Sequence, residues 1–172
     1  MSIVGPGVRP MPALLAAARP VAIVLIGVLT GAVLATWLSE AALGGSAELW
    51  IAYHQAITPA YTRTLPPLGG LALIAALVAL AASWWSPRDR RLVLAAVACL
   101  LLGLVVTVVA HFPINTEIAT WRPVAPPADW QQLRDQWLAA HAVRTVLTVA
   151  GFVLLLVAGH RHGDGRSWHS ST

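Results

Sequence analysis

The chain contains no lysine. All 11 basic residues are arginine, only 7 residues are acidic, and charged residues fill 10% of the 172 positions, against roughly 25% in an ordinary soluble domain. Hydrophobic residues make up 58% and the mean hydropathy is +0.72. A water-soluble globular domain is therefore excluded and a membrane protein is implied. The single cysteine, Cys99, excludes an intramolecular disulfide and any Cys-x-x-Cys motif; inside an apolar run it reads as a small packing residue. No His-x-x-x-His spacing occurs. The lack of a midplane charge and of an internal repeat argues against a transporter. The pI of about 10.6 does not indicate nucleic-acid binding, because the arginines cluster only at Arg88 to Arg91 and otherwise lie where a bilayer topology places them.

What the chain does have is four long apolar runs. A spanning helix needs about 20 mostly apolar residues, and spans are expected at about 20–39, 65–85, 91–112 and 140–159. They define an all-α, integral membrane four-helix bundle over 20–160, flanked by an N-terminal segment (1–19) and a tail (161–172). Pro127 suits the first turn of a helix and nothing from Ala128 to Gly159 breaks one, so the fourth span is expected to belong to one long helix that protrudes from the bilayer. Ser86, Pro87 and Asp89 form an N-terminal signature for the third helix. A short helix is expected from Ser46 to about Tyr61 after the Gly44-Gly45 break, and Pro113 is expected to kink or end the third helix.

Arg9 and Arg19 before the first run give it some likeness to a signal peptide, but the run is longer than a usual signal core and reads as an uncleaved span. Four spans place both termini on one side. Seven arginines (Arg9, Arg19, Arg88, Arg90, Arg91, Arg161, Arg166) fall on that side and four (Arg63, Arg122, Arg134, Arg144) on or near the other. The expectation is a multi-pass protein of the cell membrane with both termini cytoplasmic.

Polar residues gather at the opposite, outer end. His111 lies 19 residues after Leu92 and His141 lies 18 before Gly159, so at 1.5 Å per residue both stand about 27–28 Å up their helices. On the fourth helix Trp130, Arg134, Trp137, His141, Arg144 and Thr148 recur every three or four residues and fall on one stripe. Arg144 either snorkels out or enters the bundle, and the cost of a charge facing lipid favours the bundle or water. His111 and Asn115, four apart, share a face if helical geometry persists through Pro113. His54, with Gln55, Thr58 and Tyr61, belongs to an outer segment able to cap the site. These residues predict an outward-facing pocket of His54, His111, Asn115, Trp121, Trp137, His141 and Arg144, set against the simpler reading of aromatic and basic residues at a membrane surface.

The order "YHQAITPAYTRTLPPLG" (53–69), then "PIN" (113–115) closing a long apolar run, then the Trp130, Leu133, Arg134, Trp137, His141 and Arg144 pattern resembles the anthrone oxygenase-like family of small integral membrane proteins. The resemblance spans roughly Glu48 to Leu155. It implies an oxygenase acting on an aromatic, membrane-partitioning substrate without a bound cofactor. His141 or His111 would then serve as general base, Arg144 and Asn115 would stabilise an oxyanion, and Trp121, Trp137, Tyr61 and His54 would bind the substrate.

Two other readings stay open. His54, His111 and His141, with Glu117, are nitrogen and oxygen donors for copper, iron, zinc or haem, provided that tertiary folding brings them together. The chain is otherwise a non-enzymatic four-helix membrane module, for which Gly27 and Gly31 offer a Gly-x-x-x-Gly contact to a second copy in a homo-oligomer. The tail histidines His160, His162 and His169 read as part of a solvated segment.

Overall fold

The computed structural model describes residues 13–160. Four long helical rods run up and down: α1 (Ala13–Ala42), α2 (Ala47–Ala82), α3 (Pro87–Val106), which passes through a π-helical turn (Thr107–His111) into α4 (Phe112–Ile118), and α5 (Trp130–His160). The spans expected at 20–39, 91–112 and 140–159 fall within these rods, while that at 65–85 runs three residues past the end of α2 at Ala82; all four rods are long and apolar enough to cross a bilayer. The flanks that face away from the bundle carry Val24, Val28, Ile74, Leu94, Val109 and Val146, all more than half exposed. Such faces are stable only against lipid, and the chain is a multi-pass membrane protein. His162, His169, Arg161, Arg166 and the N-terminal segment before Ala13 lie outside the described residues, as does the side chain of His160.

The short helix expected from Ser46 and the second span are one uninterrupted α2. Ser46 starts it as an N-cap, accepting from the Leu49 N–H at 3.3 Å. The helix continues through Pro59, Pro66 and Pro67. Each proline removes one N–H and crowds a carbonyl of the preceding turn, a defect that packed neighbours and hydroxyl side chains absorb inside membranes. Thr58 and Thr64 bond back to the carbonyls of His54 (2.6 Å) and Ala60 (2.9 Å) beside these sites. At 36 residues α2 is about 54 Å long, so one end stands clear of a hydrocarbon core about 30 Å thick.

Pro113 neither ends nor simply kinks the third rod. The turn before it widens into π geometry, which relieves the clash between the proline ring and the preceding turn and shifts the phase of everything beyond. The helix that protrudes beside it, α5, begins at Trp130, three residues after Pro127.

The lower half of the bundle is packed with small residues at helical spacing: Ala18, Ala22 and Ile26 of α1, Ala72, Ala76 and Ala79 of α2, Val93, Ala96 and Val97 of α3, Leu155 and Ala158 of α5. Short side chains let backbones approach closely where no water drives association. A Cβ on Gly151 would stand 3.5 Å from the Ala96 carbonyl oxygen and from Cys99 Cβ, which places Cys99 in a packing role. Gly27 packs inside the chain, where a Cβ would meet Phe152 at 3.1 Å, while Gly31 has nothing within 4 Å.

One arginine ties this tail end together. Arg19 donates to the Ala158 carbonyl at 2.9 Å and to Ser83 Oγ at 2.8 Å, and pairs with Asp89 at 3.6 Å. It therefore joins α1, the α2–α3 turn, α3 and α5. Arg19→Ala should lower stability by about 1–3 kcal/mol because it leaves part-buried acceptors unpaired; a thermal melt in detergent that does not move would show the clasp to be dispensable.

Candidate functional site

The opposite, cap end is closed by Trp50, Ile51 and Ile118, with Trp121, Trp130 and Leu133 packed against them. Gln55 Nε2 fastens α2 to the end of α4 by donating to the carbonyls of Ile118 (2.8 Å) and Trp121 (2.9 Å). Arg134 donates to the Ala41 carbonyl at 3.2 Å across the α1–α2 turn, so close to Gly44 that a Cβ there would meet Nη2 at 2.5 Å. Beneath this cap the rods enclose a cavity of about 350 Å³, within the size range of small-ligand sites. Its walls are mostly apolar, from residues such as Leu29, Val33, Leu65, Leu73, Leu100 and Leu104.

The predicted stripe of α5 does face inward. Trp137, Arg144 and Thr148 line the cavity, together with His111 and Asn115 from the third rod and Tyr61 from α2. His54 and His141 stand one layer behind that wall. Trp121 lies in the cap cluster and holds Gln55 through its carbonyl instead of reaching the cavity. Thr58, from the segment expected to cap the site, also lines the cavity, as do Glu40 and Thr107, which the sequence does not single out. Glu40 is fully buried, and its signal was its place as a lone carboxylate at the end of a charge-free span.

Trp137 is the hub. Its indole ring is 5.1 Å from the His54 ring and 5.4 Å from that of His111, both edge-on, and 4.6 Å from that of His141. Its Nε1–H donates to Asn115 Oδ1 at 2.8 Å. Indole nitrogen is a donor only, so this bond fixes the Asn115 amide with its oxygen toward Trp137. Asn115 Oδ1 is also 3.2 Å from His54 Nε2, which must then donate to it. The Asn115 amide nitrogen is left as the donor available to a ligand.

The two remaining histidines differ. His141 Nε2 is 2.9 Å from the Val33 carbonyl and so donates, while its Nδ1 accepts from Arg144 Nη2 at 3.0 Å. Both nitrogens are in use, and no lone pair is free to take a proton from a ligand. His111 is equally buried and on the cavity wall, yet neither ring nitrogen has a hydrogen-bond partner. The Val106 carbonyl lies beside the ring but outside bonding geometry.

Arg144 enters the bundle. Its stem passes Gly103, where a Cβ would sit 3.9 Å from Arg144 Cγ, and its guanidinium reaches Thr107 Oγ1 at 3.4 Å as well as His141. Among the described residues no carboxylate pairs with it. A guanidinium without a counter-ion, on the wall of an apolar cavity, is an anion-binding element. Among the described residues no three of His, Cys, Asp and Glu converge in an arrangement able to hold a metal ion. His54 spends its two nitrogens on Glu40 and Asn115, and Glu117 is exposed on α4.

The model of the family described as anthrone oxygenase matches residues 53–154, more than half of the chain. The chain belongs to the anthrone oxygenase family. No curated protein and no solved structure shows significant similarity to it. The segment matched to the anthrone oxygenase family carries His54, Tyr61, His111, Asn115, Trp137, His141 and Arg144; Glu40, on α1, lies outside it.

Proposed function

We propose that this protein is a cofactor-independent oxygenase that takes an anthrone-like phenolic substrate from the bilayer into the cavity. The observation that carries the reading is the pairing, on one apolar wall, of a buried imidazole without a partner (His111) and a guanidinium without a counter-ion (Arg144). A base beside a fixed positive charge suits removal of a proton from carbon with the negative charge passing to a carbonyl oxygen.

In this scheme His111 takes the proton from the methylene carbon of the substrate, and the Arg144 guanidinium and the Asn115 amide N–H hold the resulting oxyanion. The carbanion passes one electron to molecular oxygen, and the radical pair joins to form a carbon–oxygen bond. The peroxide anion takes the proton back from His111; loss of the remaining C–H proton with cleavage of the O–O bond then releases water and leaves a quinone carbonyl. One oxygen molecule is consumed for each substrate oxidised, with one oxygen atom in the quinone and one in water. His141 acts through Arg144, which it positions, and Trp137 offers its indole face to the polycycle. The excess of arginine at the tail end supports a topology with cytoplasmic termini and the cavity near the outer leaflet of the cell membrane.

The test is oxygen uptake by detergent-purified protein with anthrone, followed together with quinone absorbance. Equimolar oxygen loss and quinone gain, without released hydrogen peroxide and unaffected by chelators, is the expected result. A rate no faster than spontaneous oxidation would end the oxygenase reading. A rate abolished by chelators and restored by metal would replace it with metal chemistry.

A further inference from the structure

Glu40 carries information about the ligand that the oxygenase reading does not use. Its side chain is fully buried at the end of α1, on the cavity wall. Oε1 is 3.0 Å from His54 Nδ1, while Oε2 is buried and makes no hydrogen bond. Buried carboxylate oxygens seldom go unpaired, because the lost hydration is not recovered.

The proton positions along this chain follow from one group that has no choice. The Trp137 indole nitrogen can only donate, so Asn115 turns its oxygen toward it. His54 Nε2, 3.2 Å from that same oxygen, must then carry a hydrogen. That leaves two arrangements for the 3.0 Å contact between His54 Nδ1 and Glu40 Oε1. Either Nδ1 also carries a hydrogen and donates to a carboxylate, or Nδ1 is bare and accepts a proton held on Oε1. In both arrangements Oε2 bears no hydrogen. It is an acceptor whichever side of the pair holds the proton.

We infer that Glu40 Oε2 is a recognition site for a hydroxyl group of the ligand, set apart from the oxyanion-binding donors Arg144 and Asn115. The inference rests on the proposed cavity chemistry for the class of ligand, an aromatic with a phenolic hydroxyl. The site then has two poles of opposite demand: Arg144 and the Asn115 amide N–H seek an acceptor, and Glu40 seeks a donor. A ligand with a hydroxyl at one end and a carbonyl at the other satisfies both and is held in a single orientation. Glu40 is supplied by α1, outside the family-matched segment, so this preference belongs to a part of the chain that the family resemblance does not cover.

The experiment is equilibrium binding by quenching of tryptophan fluorescence, which needs no turnover. The probes are 1- and 2-hydroxyanthraquinone, their methyl ethers, and unsubstituted anthraquinone. The ethers keep the ring system and the acceptor but lack the donor and add a methyl group, whose steric effect Glu40→Gln leaves in place. At least one hydroxyl compound should bind about tenfold or more tightly than its ether, as expected when a donor satisfies a buried acceptor that is otherwise unpaired. Glu40→Gln should remove or reverse that ratio, since the amide can turn its NH2 toward the cavity. Glu40→Ala serves the same purpose if the glutamine variant does not insert. Equal binding of hydroxyl and ether forms by the unsubstituted protein, no binding of any probe, or a ratio unchanged in the variant would overturn the assignment. A protein with the hydroxyl preference but no oxygen uptake keeps Glu40 as the donor-seeking pole and loses the oxygenase reading; oxygen uptake without the preference does the reverse.

Discussion

His111→Phe is expected to lower the oxygen-uptake rate by about 10²–10⁴-fold, the usual contribution of a positioned general base, while leaving thermal stability close to that of the parent. The two halves of this expectation have separate causes. The ring keeps its edge-on contacts with Trp137 and His141, at 5.4 and 5.3 Å, so packing is largely retained. The two nitrogens removed had no hydrogen bonds to lose, and replacing unsatisfied polar atoms by apolar ones of similar shape is close to neutral. A structural histidine would behave otherwise, because its removal would cost stability through broken hydrogen bonds. His111→Ala adds a second reading: it leaves a ring-sized gap beside Arg144, and exogenous imidazole should restore part of the rate. A phenylalanine variant within about threefold of the parent rate would remove His111 from the mechanism, since general-base losses are far larger. His141, although it stands at the same depth, should behave as a positioning residue. Its lone pair is already given to Arg144, so His141→Ala is expected to act through a displaced guanidinium and to cost stability as well.

The contrast between these two histidines shows what the sequence could and could not say. Counting residues at 1.5 Å each placed His111 and His141 at one height, and the three- and four-residue spacing placed Trp137, His141 and Arg144 on one face; both inferences depend only on helix geometry. Which histidine is free depends on two ångström-scale facts outside any periodicity: the Val33 carbonyl opposite His141 and the phase shift introduced by the π turn before Pro113. A proline announces a disturbance in a helix but not whether the chain bends, stops or widens. Pro59, Pro66 and Pro67 show the same limit from the other side, since a stretch rich in helix breakers is continuous helix here. Glu40 was overlooked for a different reason. Its one mark in the sequence, a lone carboxylate at the end of a charge-free span, does not point to a partner; His54 is 14 residues on, across the α1–α2 turn, and their meeting is a product of packing. The resemblance makes Trp121 a substrate-binding ring, yet in the fold it packs in the cap and its backbone carbonyl accepts from Gln55.

Arg144→Met is expected to reduce kcat by about 10²–10³-fold, the scale seen when a donor to a developing oxyanion is lost, and at the same time to leave the melting temperature unchanged or higher. Methionine fills a similar length of the groove beside Gly103 without the charge. What it gives up is hydrogen bonding to Thr107 Oγ1 and His141 Nδ1, worth about 1–3 kcal/mol where the acceptors stay buried and unpaired. What it removes is a guanidinium held inside a membrane bundle with no carboxylate paired to it among the described residues, a burden of a few kcal/mol. The second outweighs or balances the first, so activity and stability should move independently. That divergence identifies a residue kept for its chemistry, because sites that strain the fold for function gain stability when they are simplified. Arg134→Met is the matched comparison. Arg134 bonds the Ala41 carbonyl at the rim and does not line the cavity, so its loss should lower stability and leave turnover per folded molecule close to the parent value. If Arg144→Met instead melts early and loses activity only in step with the folded fraction, the guanidinium is a structural clasp like Arg19, and the oxyanion must be held elsewhere.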